Sequence, residues 1–354
     1  MRIGMVGAGA VAARHVRNLL AMDGVELAAV ADPALERAKG LAAEAGAAAY
    51  PNHMELLAAE RLDAVYICVP PFAHGPPELA VIDAGLPMFV EKPVAIDQGT
   101  AAEIAARLAG RPLLTCTGYH WRWLDIFDRA AELLADRPAR LVQCSWLDKV
   151  PPPPWWLRRD GSGGQTIEQT THVLDTARGL AGEVAEVHAF GARAASNAAR
   201  GASNSARGAS NAAWAASNPP LPRPEASLPA ADIHDVSVAS LRFASGAVGT
   251  VASTCLLPRL HRAGVQVVAD GLSLELSETE LVVEADGRRS VWEADADPRP
   301  RPDRDFVAAV RGGPDRMRVP WPEAYRTHLL ACAITRSAEE GRPLPVPGPG
   351  VGDG

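Results

Sequence analysis

Two groups of side chains in this 354-residue chain have types and spacings that suit catalysis. Lys92 stands in Glu91-Lys92-Pro93, directly after the apolar run 88–90. An ammonium at the carboxyl end of a buried strand can donate to a substrate oxygen and stabilise negative charge developing there. The proline that follows restricts the lysine backbone and helps to aim the side chain. Glu168, His172 and Asp175 are spaced i, i+4, i+7, which predicts that they share one helical face. An imidazole there titrates near neutral pH and suits general acid/base work, and a nearby carboxylate would hold its tautomer and raise its basicity. Glu168 and His172 could also chelate a cation, but no further ligand stands at a characteristic spacing, so no metal is expected. Tyr119, Trp121, Arg122 and Trp123 fall near 120, and Trp155-Trp156 follow a four-proline run at 151–154. Rings such as Trp156 can stack on a sugar face while Tyr119 and Arg122 hydrogen-bond its hydroxyls; packing between domains is the other use of the same rings.

A third group suits a dinucleotide. Gly7-Ala8-Gly9-Ala10-Val11-Ala12 follows the apolar run 3–6 and opens onto a helix-like stretch. Gly7 permits a tight turn, and Gly9 permits close approach to a pyrophosphate. The helix beginning at Ala10 and Val11 presents free N–H groups and a positive dipole end. Asp32 closes the next apolar run, 27–31. It can accept from both adenosine ribose hydroxyls and would repel a 2′-phosphate, so NAD is favoured over NADP. Val69, Pro70 and His74, at the end of a further strand, are expected to line the nicotinamide side of the cleft with Glu91 and Lys92.

These groups need a scaffold. Apolar runs at 3–6, 27–31, 64–69, 88–90 and 113–117 alternate with helical patterns such as 78–84 and 100–109. That alternation predicts a doubly wound parallel sheet, an α/β Rossmann domain over 1–120. Beyond it, helices at 125–134 and 168–180 and strands at 141–147, 236–243, 247–255, 264–269, 272–276 and 281–284 predict an α+β domain over 121–345 with a large open, mainly antiparallel sheet. Two closing helices, 304–311 and 322–340, are candidates to pack back on the first domain. Ala-Ser-Asn recurs at 195, 202, 209 and 216. The repeating positions offer no large side chains to bury, so 193–218 reads as a low-complexity insertion. The stretch 346–354 reads as a flexible tail.

A net charge of −7 argues against nucleic acid as the partner. No apolar run is long enough to span a bilayer. The apolar start, with Arg2 as its one basic residue and three glycines among the first nine residues, does not read as a secretory leader. Five scattered cysteines form neither a disulfide framework nor a metal spacing, which suits a reducing cytoplasm.

Together the motifs resemble the glucose-fructose oxidoreductase / inositol dehydrogenase family, Gfo/Idh/MocA. The resemblance rests on Gly7-x-Gly9-x-x-Ala12, Val69-Pro70 with His74, Glu91-Lys92-Pro93, Gly118-Tyr119-x-x-Arg122, Gly163-Gly164 leading to His172-x-x-Asp175, Phe306-x-x-Ala309-Val310 and the stretch 337–343. It implies a tightly held NAD(H) or NADP(H), hydride exchange at a secondary alcohol of a sugar, polyol or inositol-like substrate, and a homo-oligomer joined through the C-terminal sheet. By the same analogy Lys92 orients the reacting oxygen and His172 is the acid/base. Glu168 stands where the family commonly has aspartate, which leaves its role open. Two other activities fit the same residues less well: an NAD-dependent glycosidase of this fold, and a non-catalytic NAD-binding regulator, which would need neither Lys92 nor His172.

Overall fold

The computed structural model describes residues 1–193 and 231–348. The Ala-Ser-Asn repeats and residues 349–354 lie outside them. The first part runs β1 (Arg2–Val6), α1 (Ala10–Leu20), β2 (Glu26–Ala31), α2 (Leu35–Ala43), β3 (Ala48–Tyr50), α3 (His53–Ala59), β4 (Ala64–Ile67), α4 (Pro76–Ala84), β5 (Met88–Val90), α5 (Gln98–Gly110) and β6 (Thr115–Thr117). The six strands are parallel in the order β3-β2-β1-β4-β5-β6, a doubly wound sheet whose direction of growth reverses between β1 and β4. Strands covered on both faces must be apolar throughout. Accordingly β1, β2, β4 and β5 are almost wholly buried. α1 turns Ala12, His15, Val16 and Leu19 inward, a helical stripe facing the sheet.

The second part runs α6 (Asp125–Leu134), β7 (Leu141–Leu147), α7 (Arg159–Ser162), α8 (Thr171–Ala181), β8 (Val184–Ala192), β9 (Val236–Phe243), β10 (Val248–Thr254), β11 (Arg262–Ala269), β12 (Leu272–Leu276), β13 (Glu280–Ala285), β14 (Arg288–Glu293), α9 (Pro300–Val310), α10 (Trp321–Glu340) and β15 (Leu344–Pro345). Nine strands form one sheet, antiparallel except where β7 and β10 run side by side in parallel. Burial alternates along β9, β10 and β12. Only one face of such a sheet is covered, here by α6, α8 and α10.

The closing helices return to the first sheet. Phe306 and Val307 of α9, with Trp321, Ala324 and Leu329 of α10, are buried in the N-terminal core. Leu330, Ala331, Ala333 and Ile334, further along α10, are buried in the core under the nine-stranded sheet. One helix thus spans both cores.

Candidate active site

The glycine turn is built for a phosphate group. Gly7 has φ +97°, and a Cβ there would come within 2.2 Å of the Cys68 carbonyl oxygen, so only glycine fits. Beyond it α1 starts at Gly9 with no side-chain cap and no acid in its first turn, leaving N–H groups for an anion. Gly9, Ala10 and Val11 are exposed, and a Cβ on Gly9 would meet nothing within 4 Å. Asp32 is half-buried. Its carboxylate accepts the Ala8 N–H at 2.9 Å and the Ala34 N–H at 2.8 Å. It therefore braces the turn. Val69 and Pro70 are also half-buried beyond β4. These residues fit a dinucleotide.

Lys92 leaves the end of β5, and the Lys92–Pro93 peptide is cis. Its Nζ donates to Glu168 twice, to the carbonyl oxygen and to Oε1, each at 2.8 Å. Glu168 Oε2 accepts the Trp156 indole N–H at 2.7 Å. Lys92 and Glu168 both keep some exposure. Glu168 lies in a π-helical turn, Thr166–Thr170, that runs straight into α8. His172 follows in the first turn of α8, ringed by aromatic side chains. Trp146 and Trp121 stack near it at centroid distances of 5.6 and 6.4 Å, and His120 and Tyr119 meet it edge-on at 5.2 and 5.9 Å. Its Nδ1 is enclosed without a hydrogen-bond partner among the described residues. Burial in this cage holds its pKa well below 6.5, and the Lys92 ammonium pushes it the same way. The ring is therefore a neutral imidazole at physiological pH, able to take a proton. Beside it His120 Nε2 is paired with Glu278 Oε1 at 3.0 Å, and Arg299 reaches the same oxygen at 2.6 Å.

Several expectations from the sequence are corrected. Six of the residues expected to meet a ligand are held by protein groups, all of them buried, as is His172 itself at 7% exposure. Trp156 is fully buried and spends its N–H on Glu168; its neighbour Trp155 is the half-buried ring, set 6.4 Å from exposed Phe72. Tyr119 is buried with its hydroxyl on Thr171 Oγ1 at 2.7 Å. Arg122 and Asp175 are both buried and engage each other at 2.7 and 3.2 Å. His74 is enclosed, Nδ1 2.6 Å from Glu78 Oε1. The Glu91 carboxylate, expected at the cofactor, is turned inward to His15, Arg14 and the Lys92 N–H. Nor do Glu168, His172 and Asp175 act as one row. Glu168 reaches Lys92, whereas Asp175 meets Arg122 and Thr327. The π-turn widens the helix between them and shifts the phase on which i, i+4 spacing relies. Trp146 and the His15–Asp303 pair were missed. A histidine on the buried stripe of α1 was the one sequence signal available for the latter.

A cavity of about 920 Å³ lies among Ile96, Asp97, Ile167, Tyr325 and Cys332. Lys92, Glu168 and His172 are not in its lining. No helix among the described residues is long and apolar enough to cross a membrane.

Comparison with known proteins bears on this site. Residues 1–119 match the family described as an oxidoreductase family with an NAD-binding Rossmann fold, and residues 138–275 match the Gfo/Idh/MocA C-terminal domain. Myo-inositol 2-dehydrogenase of Thermotoga maritima is 28% identical over 198 residues, 54% of this chain and 58% of that protein. Inositol 2-dehydrogenase of Mycolicibacterium gilvum is 35% identical over 138 residues, 38% of this chain and 39% of that protein. The matches thus span less than two thirds of either relative. Among solved structures, the WlbA dehydrogenase from Bordetella pertussis, in complex with NADH and UDP-GlcNAcA, superposes with a TM-score of 0.77 at 21% identity, covering 98% of this chain and 99% of that one. A levoglucosan dehydrogenase in complex with NADH gives the same score at 18% identity, covering 98% and 99%.

Proposed function

The chain belongs to the Gfo/Idh/MocA family of NAD-binding oxidoreductases, and we propose that it transfers a hydride between NAD and a secondary alcohol or ketone on a sugar, polyol or inositol-like ring. The observation that carries the reading is the Lys92 ammonium, held on the turn that leads into the caged neutral imidazole of His172. In oxidation His172 takes the hydroxyl proton and becomes imidazolium. Lys92 donates to the same oxygen and stabilises its alkoxide-like charge until the carbonyl forms. Glu168 is a positioning residue: it fixes the ammonium, and Trp156 in turn fixes Glu168. NAD would supply the hydride acceptor, the C4 of its nicotinamide, for the carbinol carbon. Gly7 and Gly9, the start of α1, Asp32, Val69 and Pro70 would hold it. The inositol dehydrogenases and the NADH-bound sugar dehydrogenases to which the chain is similar support a ring polyol as substrate.

The deciding experiment incubates the purified protein with NAD⁺ and a panel of sugars, inositols and sugar nucleotides, and records absorbance of the reduced nicotinamide. Reduction with one substrate class is the expected result. Aglycone release without net NADH would replace the reading with a glycosidase, and NAD binding without turnover on any substrate would replace it with a regulator.

Cofactor preference follows from Asp32. Asp32→Asn removes the charge and leaves one acceptor oxygen in place of two, and a hydrogen bond to a charged group contributes about 1.5–3 kcal/mol. NADH affinity is expected to fall about tenfold or more on that basis while NADPH affinity rises. Fluorescence titration with both cofactors measures this, and an unchanged preference refutes the ribose contact.

The outer face of the nine-stranded sheet exposes Phe190, Val238 and Val248. Apolar side chains on an open sheet suit burial against a second copy, so a homo-oligomer is expected. Light scattering that gives the monomer mass at micromolar concentration refutes it. All five cysteines are free, which suits a cytoplasmic protein; cell fractionation tests that location.

A further inference from the structure

One buried group takes no part in the proposed chemistry yet is bonded to the residue that precedes Lys92. His15 lies on the inward stripe of α1, and its ring is almost wholly enclosed. Nε2 is 2.8 Å from Glu91 Oε1, and Nδ1 is 2.7 Å from Asp303 Oδ1 on α9. An ionised carboxylate can only accept, so two ionised acids require a proton on each ring nitrogen. Each acid has a second partner. Arg14 Nη2 reaches Glu91 Oε1 at 3.1 Å, and Asn18 Nδ2 reaches Asp303 Oδ2 at 2.7 Å. The other oxygen of Glu91 accepts the Lys92 backbone N–H at 3.0 Å. That carboxylate also packs flat on Gly118 at the exit of β6, where any Cβ would stand 2.4 Å from Glu91 Oε2. One ring therefore ties together the helix of the dinucleotide turn, the residue before Lys92 and a helix returning from the far end of the chain.

We infer that His15 is a positioning residue: by bridging Glu91 and Asp303 it holds the Lys92 backbone in fixed register with the helix that receives the cofactor. The catalytic consequence rests on the dehydrogenase reading above; the cofactor-binding consequence does not.

The ring's surroundings give it a pH signature. Facing it are Glu91 after β5, Asp303 from α9, Arg14 from its own helix, and the rings of Tyr66 and Phe89 at 5.5 and 4.9 Å. Cys68 and Cys116 lie close by, their thiols pushed up chiefly by burial. Burial alone would lower the imidazole pKa, but the two carboxylates outweigh it and raise it to about 9. Burial alone would raise Glu91, but His15, Arg14 and Lys92 bring it down to about 2. A raised histidine pKa means that the bridge contributes its full stabilisation below 6.5, the ordinary histidine value. The contribution is lost as pH rises from there through about 9.

The test measures NADH affinity by fluorescence, kcat and substrate KM from pH 6 to 10, on wild type, His15→Gln and Asp303→Asn. Wild type is expected to lose NADH affinity about tenfold across the alkaline limb. His15→Gln cannot donate in two opposite directions and carries no charge. It is expected to bind NADH about tenfold more weakly at pH 7 and to lose the limb. Its kcat falls about ten- to a hundredfold with little change in substrate KM, as misplacement of a reacting group requires. Asp303→Asn removes one of the two acids that raise the ring, so its limb moves to lower pH; this variant serves if His15→Gln does not fold. A purely structural histidine would lower the melting temperature but leave NADH affinity, kcat and the limb unchanged, and that result overturns the inference. If no substrate is turned over by wild type, the dehydrogenase reading fails while the NADH profile still decides the role of His15.

Discussion

Lys92→Ala and His172→Ala are each expected to lower turnover by about 10²–10⁴-fold while leaving NADH affinity within a few-fold of wild type. The ammonium is held on the turn leading into His172 by two hydrogen bonds of 2.8 Å that fix its direction. Without it the developing oxyanion loses its donor, and Glu168 keeps only the Trp156 N–H as a direct partner of its carboxylate. Without the imidazole the hydroxyl proton loses its proposed acceptor; His120, the other imidazole in the cage, is paired with Glu278. The pH profile adds a sign. Burial and the Lys92 charge both hold the His172 pKa below 6.5, so the acid limb of kcat/KM for oxidation lies below that value. Removing Lys92 lifts one of the depressing causes, so the limb in residual Lys92→Ala activity moves upward. Steady-state kinetics on both variants check this; undiminished turnover in both removes the proposed chemistry.

Asp175→Ala is expected to cost about 3–5 kcal/mol of folding stability, the usual penalty for breaking a buried ion pair, with kcat per folded molecule nearly unchanged. Asp175 accepts from Arg122 at 2.7 and 3.2 Å and from Thr327 Oγ1 at 2.9 Å. Arg178 joins at 4.0 Å and is itself held by Glu183 and Glu323. This network ties the loop after β6 to α8 and α10, which carries the two cores. Removing the carboxylate leaves Arg122 with Glu323 at 3.4 Å as its nearest acid, a poor replacement for a fork of two short bonds. The measurement is a denaturant midpoint beside kcat. A large loss of kcat with unchanged stability would return Asp175 to the active site, where its spacing from His172 first suggested it.

That contrast marks how far the amino-acid sequence reaches. The β1–α1–β2 unit, with Gly7, Gly9 and Asp32, was legible because a strand, a turn and a helix are decided by neighbours a few residues away. The alternating strands β9, β10 and β12 were legible for the same reason. Strands that lack such a local pattern were missed. β3 is three half-buried residues, and β14 is nearly all exposed, with three of its six residues charged. β8 lies directly after α8 and against α10, where its burial comes from a helix remote in sequence. In the site, the types of Lys92 and His172 announced chemistry by themselves. Which of their polar neighbours face the cleft was decided only in three dimensions. Trp156, Arg122, Asp175, His74 and Glu91 are as polar or aromatic as any contact residue, yet each is paired inward. A side chain's exposure is a sum over segments brought together by the two cores, and its partner is whichever opposite group that packing sets within hydrogen-bonding reach. Local sequence chooses the donor or acceptor, and the tertiary fold chooses what it meets.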